Sequence, residues 1–279
     1  MGAWNSKAAQ FRLLRRFLAV FGGIWLLLEP AALWKPENLK WGWAGYLILA
    51  ASSFAIAAAW AWPRRSITKR VALSDTKITI QVSDLLEQKG NIIIGATDVF
   101  DTELGEVISP SSVQGQFQKR FFPNAADLDS VLEGELAKTS GRIDATKTDG
   151  KNVRYPIGTV AVVDKEGNRF YLVAYSRMEA NLKAKSDICK LTSSLEQAWD
   201  AIRVRGQRRP VHMAVVGSDL SRTGLSRSLL IQLVILSFLD EERQENLTSH
   251  LYIHVHENDY DDIDFVFLED WLSGLTRSA

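Results

Sequence analysis

The chain has one cysteine, Cys189, in 279 residues. An intramolecular disulfide is therefore excluded, which fits a reducing compartment for the body of the protein. Histidine is also scarce, at four residues. His254 and His256, in the run YIHVH, are expected on one face of a strand. No third metal ligand stands at a helpful spacing, so they read as core or solvent-facing side chains. The acidic run Glu257, Asp259, Asp261, Asp262, Asp264 lacks the EF-hand spacing and reads as a solvated loop and helix start. There is no nucleophile elbow of the form G-x-S-x-G, and no readable Ser-His-Asp or Cys-His grouping. Internal repeats are absent too.

Net charge is missing as well, with 33 Lys and Arg against 33 Asp and Glu. The balance hides an asymmetry. Residues 1–70 hold ten bases and two acids, leaving 23 bases and 31 acids for the rest. An acidic body lacks the clustered cations that phosphate backbones require, so nucleic acid is not an expected partner.

The N-terminal part is rich in long apolar runs. Phe17 to Trp34 reads FLAVFGGIWLLLEPAALW, and Trp41 to Trp62 reads WGWAGYLILAASSFAIAAAWAW. Crossing a bilayer takes about 20 apolar residues. The second run has no charge, and the first is interrupted by Glu29 and Pro30. Tryptophans collect near the segment ends, as expected at membrane interfaces. Lys7, Arg12, Arg15 and Arg16 precede the first run, and Arg64, Arg65, Lys69 and Arg70 follow the second. By the positive-inside rule both termini are cytoplasmic. The expectation is an inner-membrane hairpin with spans at about 13–34 and 41–62 in residues 1–70, and a cytoplasmic body over 71–279. Gly22-Gly23 and the small residues of Ala50 to Ala59 permit close helix approach.

From Val71 onward short apolar strands alternate with helices. Strands are expected at Ile78–Val82, Asn91–Ala96, Val211–Val216 and Leu251–Val255. A hairpin joins Thr159–Val163 to Arg169–Ala174. Helices are expected around Glu133–Ala137, Ser186–Arg203 and Leu225–Leu239, with a last one carrying Ile263, Val266, Phe267 and Trp271. This alternation implies a three-layer α/β domain whose mixed, largely parallel sheet has helices on both faces. The polar stretch 139–152 is expected to be an exposed, mobile loop.

Ligands in such sheets bind beyond the carboxyl ends of the strands, which singles out three turns. After Val82 comes Asp84, which serves either as a helix cap or as an acceptor for a purine amino group. After Ala96 a long loop runs through Asp98, Phe100 and Asp101 to Ser111, Ser112, Gln114, Gly115 and Gln116. Its serines are suited to cap a helix whose free N–H groups favour an anion. After Val216 comes Gly217-Ser218-Asp219-Leu220-Ser221-Arg222-Thr223-Gly224. It is not a P-loop, because six residues separate the glycines and no Lys-Ser/Thr follows. It is either an anion cradle or an ordinary strand-helix turn.

Taken in order, "VSDLL", "NIIIGATDVFD" and "AVVGSDLSRTG" resemble the macrodomain family, whose members bind ADP-ribose. The resemblance spans about residues 72–275. It implies that Asp84 contacts adenine and that the loop from Asp98 to Gln116 holds the distal ribose and diphosphate. It further implies that Gly217 to Gly224 cradles the diphosphate and that Tyr260, with Asn258 beside it, stacks on adenine. The family's usual Asn-Ala-Asn segment and glycine triplet are replaced here by "GATDVFDTELGEVISPSSVQGQF". Hydrolytic members use that loop, so the implied protein is a binder, with a membrane-tethered ADP-ribosyl hydrolase as the alternative. With its two-helix anchor the chain resembles the membrane-anchored macrodomain effectors of type II Thoeris antiphage systems. That likeness implies a histidine-ADP-ribose signal made by a TIR-domain partner, homo-oligomerisation and damage to the bilayer, with no metal and no cofactor.

Overall fold

The computed structural model describes residues 7–34, 42–60, 62, 64–71, 74–216 and 224–277. The chain forms two compact units, one ending at Arg64 and the other beginning at Arg65.

The first unit is a pair of helices, α1 (Lys7–Trp34) and α2 (Gly42–Trp60). They pack through aromatic contacts, with ring centroids 6.3 Å apart for Phe17 and Phe54 and 5.9 Å apart for Trp25 and Tyr46. The buried side of α2 is Gly45, Leu49, Ser53 and Ala57, each four residues from the next. That spacing lines up one helical face, and its small residues let α1 approach. Among the described residues, α2 is the one helix long and apolar enough to cross a membrane. The more polar start of α1 and Pro30 within it set that helix apart.

The second unit is built on an eight-stranded sheet. Its strands are β1 (Ser66–Arg70), β2 (Lys77–Val82), β3 (Asn91–Thr97), β6 (Val160–Lys165), β7 (Asn168–Met178), β8 (Ala184–Lys185), β9 (Val211–Ala214) and β10 (His250–Val255). The spatial order is β1-β2-β10-β9-β3-β7-β6, with β8 paired to β7. The five inner strands run parallel, whereas β1 and β6 are antiparallel edges. A separate small ladder pairs β4 (Arg142–Ile143) with β5 (Val153–Arg154). Between β6 and β7 lie Glu166 and Gly167, both at positive φ (50° and 77°). Two such residues make the tight turn whose twist matches a β-hairpin.

Helices cover both faces. Alternation along β3 sends Ile93 to one side and Ile92 and Ile94 to the other. On the first side Ile93 joins α5 (Ile188–Arg205), α6 (Arg227–Gln244) and α7 (Phe265–Arg277) through Trp199, Phe238 and Leu268. Trp199 is fully buried, and its Nε1 donates to Ser237 Oγ at 2.9 Å. On the second side Ile92 and Ile94 meet Phe117 of α3 (Val113–Phe121) and Leu128 of α4 (Ala125–Leu136). The three-layer mixed sheet expected from the sequence is the observed one.

Two local features differ from expectation. Ser66–Arg70, read as basic membrane flank, forms the edge strand β1 beside β2. The loop 139–152 is exposed over most of its length, yet it is anchored rather than loose. Lys147 is buried within it, its Nζ lying 3.2 Å from Asp101 Oδ2 and donating to the carbonyls of Asp149 and Lys151. A buried cation needs such partners, and these hold the loop to the body.

Candidate ligand-binding site

The carboxyl ends of β2, β9 and β10 border a cleft of about 240 Å³. Its walls are Ser83 to Leu86 after β2, Ala214 at the end of β9, His254, His256 and Glu257 at the end of β10, and Val113 and Gln116 of α3. The topology brings these together because all three strands run parallel and end at the same sheet edge.

Asp84 is exposed on this cleft. Its Oδ1 accepts the Leu86 N–H at 2.8 Å, closing a turn. The next element is β3, starting at Asn91, so Asp84 closes a turn and does not cap a helix, and its second carboxylate oxygen has no partner among the described residues. Gln116 also lines the cleft, steadied by donation from its Nε2 to the Ser111 carbonyl at 2.8 Å. Ser112 caps α3, its Oγ accepting from Gly115 N–H at 3.0 Å. Ser111 is exposed beside it and shares a hydrogen bond with Ser109. Gly115 sits so close to the Ser109 carbonyl that a Cβ there would clash with backbone.

Several first-loop candidates lie in a different layer, buried in the body and away from the cleft lining. Asp98 is buried, with Arg154 Nη1 at 2.9 and 2.7 Å from its two oxygens and the Met178 N–H at 2.9 Å. Asp101 is buried against Lys147. Phe100 is fully buried and meets Tyr155 edge-on at 5.8 Å. Gln114 is buried, donating to the Asp101 carbonyl at 2.7 Å. These side chains knot the loop from behind and support the start of α3. Two carboxylates already committed to cations are poorly placed to act as general bases.

Gly217, Ser218, Asp219, Leu220, Ser221, Arg222 and Thr223 lie outside the described residues. Gly224, at φ 74°, precedes the Ser226 cap of α6. Asn258 and Tyr260 lie on a 3-10 turn, Glu257–Asp262, that follows β10. Tyr260 is half-buried, packs on Phe265 at 5.4 Å and carries the Arg65 guanidinium over its ring at 5.7 Å. The residues bordering the cleft stop short of it. The acidic run is partly structural, since Asp259 and Asp262 hold Arg227 and Asp264 caps α7.

His254 and His256 do not share a face. His254 is buried in β10, while His256 is exposed beyond it and caps the 3-10 turn, its Nδ1 accepting from Asn258 N–H. Among the described residues no group of three or more potential metal ligands gathers.

The sequence reading missed Ser83, His254 and His212 as a connected group. Ser83 Oγ lies 2.8 Å from His254 Nδ1, and His254 Nε2 lies 3.0 Å from His212 Nδ1. Burial removes water from both rings and lowers their pKa from 6.5, to about 4 for His212 and about 3 for His254. Both are neutral at physiological pH. A signal was present in HLYIHV. Leu251, Ile253 and Val255 take one face of β10, which leaves His250, Tyr252 and His254 on a face that inner strands normally fill with aliphatics.

A family model described as the Macro domain of Thoeris protein ThsA matches residues 78–256. The chain belongs to the ThsA macro-domain family. The Thoeris protein ThsA of Bacillus amyloliquefaciens (strain Y2) is 22% identical to it over 208 residues, covering 71% of this chain and 69% of that protein. The Oceanobacillus iheyensis macrodomain with MES bound matches the fold at a TM-score of 0.53 and 9% identity, over 75% of this chain and 98% of the macrodomain. The same macrodomain with ADP gives 0.52 and 11%, over 76% and 99%. The fold is thus macrodomain-like, and the boundaries of the ThsA macro-domain match enclose the cleft residues from Ser83 to His256.

Proposed function

We propose that this ThsA-type macro domain binds an ADP-ribose-derived signal in the cleft at the ends of β2, β9 and β10. The observation that carries this reading is Asp84. It stands at the first strand end in the family's order, its turn already closed by Leu86, with one carboxylate oxygen left for the amino group of a purine. Gln116 and the Ser112-capped start of α3 form the opposite wall, where N–H groups suit phosphate. The likeness to the Bacillus amyloliquefaciens protein supports a role in Thoeris antiphage defence.

In this reading the chain is an effector without catalysis of its own. The signal is histidine-ADP-ribose or a related molecule supplied by a TIR-domain partner. Helices α1 and α2 span the inner membrane with both termini cytoplasmic, and ligand binding drives self-association that breaches the bilayer. The apolar α2 supports the anchor, and its small-residue face supports close helix packing.

Binding to the folded state alone raises stability by linkage, about 2.7 kcal/mol at a hundred times Kd. Detergent-solubilised protein is therefore expected to show a rise in unfolding temperature with ADP-ribose or histidine-ADP-ribose. Vesicles carrying the protein should release an entrapped dye when ligand is added. Unchanged melting with both ligands at millimolar concentration would remove the binding proposal, and intact vesicles with bound ligand would remove the membrane step.

A further inference from the structure

Strand β1 is an outer edge of the sheet, and β2 is its one partner strand among the described residues. The Val82 N–H donates to the Arg65 carbonyl at 2.9 Å, and the Val71 N–H donates to the Thr76 carbonyl at 2.9 Å. Bonding alternates along an antiparallel ladder, so Arg65, Ile67, Lys69 and Val71 turn their main-chain groups toward β2. Ser66, Thr68 and Arg70 turn theirs to the outer side, and all three residues are exposed. Sheet edges are normally blunted by proline, a bulge or outward charge. The segment SITKR has no proline, and its register with β2 runs unbroken over five residues. Its two cations are engaged within the chain: Lys69 Nζ lies 3.8 Å from Glu269 Oε1, and Arg70 pairs with Asp75.

This outer side is complementary to itself. Two copies laid antiparallel about Thr68 bring Thr68 opposite Thr68 and Ser66 opposite Arg70. Every outward N–H of the three residues then meets an outward carbonyl. No cation faces a cation, since Lys69 lies opposite Ile67. A slip of the register one way sets Lys69 against Lys69, and a slip the other way sets Arg70 against Arg64, which like charges disfavour. We infer that β1 is a self-association surface, on which a second copy of this chain adds its own β1 antiparallel about Thr68. Main-chain hydrogen bonds supply the attraction, as in strand addition generally. Position in the chain favours a second copy as the occupant. Helix α2 ends at Trp60 and β1 starts at Ser66, so α2 helices that associate hold two β1 strands at high effective concentration. The inference rests on the self-association part of the reading above, gives it a surface in the body, and needs nothing from the cleft.

Cysteine crosslinking of the full chain in detergent, with and without histidine-ADP-ribose, reads the register. In a Cys189→Ser background, Thr68→Cys should give a disulfide-linked dimer on oxidation, because paired Cα atoms lie about 5.5 Å apart. Ser66→Cys alone should not, since its counterpart in the other copy lies roughly 13 Å away along the strand. Mixed with Arg70→Cys, it should crosslink. Adding Ser66→Lys to Thr68→Cys sets like charges opposite each other and should cut the dimer yield about fivefold, whereas Ser66→Glu should raise it. A variant that merely damaged the fold would lower the yield with either charge. Sedimentation of the same samples gives the oligomeric state. An oligomer in which Thr68→Cys fails to crosslink, or in which Ser66→Cys alone crosslinks equally well, overturns the inference alone. A monomer under every condition removes the self-association reading and this inference with it.

Discussion

Asp101→Ala lowers the stability of the body by about 3–5 kcal/mol, the usual cost of stranding one member of a buried ion pair. Asp101 and Lys147 each have side chains 1% exposed. Removing the carboxylate leaves the ammonium buried with only the Asp149 and Lys151 carbonyls. It also removes the acceptor of the Lys151 N–H, which bonds Asp101 Oδ1. In a domain of this size the loss corresponds to roughly 10 °C in melting temperature. The double variant Asp101→Leu with Lys147→Met should recover much of it, because an apolar pair carries no desolvation cost. Thermal unfolding of the three proteins checks this. A single variant melting within a degree or two of wild type would mean that the loop 139–152 is not held by this pair. The effect should reach the cleft as well, since Gln114 and Gln118 tie α3 to the Asp101 and Thr102 carbonyls.

Acidification from pH 6.5 to 4 should cost about 3 kcal/mol or more through two buried histidines, with the loss beginning well above the range where ordinary carboxylates titrate. His212 and His254 have folded pKa values of about 4 and about 3 against 6.5, first because burial strips water from the rings. A neighbouring histidine adds a smaller push in each case: His250 acts on His212, and His212 on His254. In this window the unfolded chain binds protons that the folded chain refuses, so stability is full above 6.5 and declines as pH falls. Each pKa unit is worth about 1.4 kcal/mol, and the expected total allows for the two rings being coupled. The depressed carboxyls of Asp164 and Asp187, both held chiefly by a hydrogen-bonded cation, lose their contribution only below their ordinary value of 3.8. Denaturant titrations at pH 7, 5.5 and 4 measure the slope. His254→Gln should flatten it, and a wild-type curve that is level across this range would contradict neutral buried rings.

The architecture was legible because alternation and helical periodicity report directly on burial. NIIIGA had to be an inner strand, and Leu191, Leu195, Trp199 and Ile202 had to share a helical face. Edge strand β1 was not legible, since SITKR is short and half-polar and lies beside an apolar run that dominates its reading. Asp84 and Gln116, singled out from loops that follow strand ends and from the family resemblance, both border the cleft. The ion pairs that bury Asp98 and Asp101 were not legible for a definite reason. A carboxylate in a glycine- and serine-rich loop looks like a ligand group, and its cations, Arg154 and Lys147, stand 46 or more residues further along the chain. The connected group of Ser83, His254 and His212 was hidden in the same way, because its members meet only when β2, β9 and β10 lie side by side.

The nucleotide site at this sheet edge is tested by calorimetric titration of the full chain with ADP-ribose, in wild type and in Asp84→Ala. Saturable binding at one site is expected, weakened in the variant by about 1–3 kcal/mol while its melting temperature without ligand stays close to wild type. No heat of binding in wild type, or equal affinity in the two proteins, would contradict a nucleotide site at the carboxyl edge of this sheet.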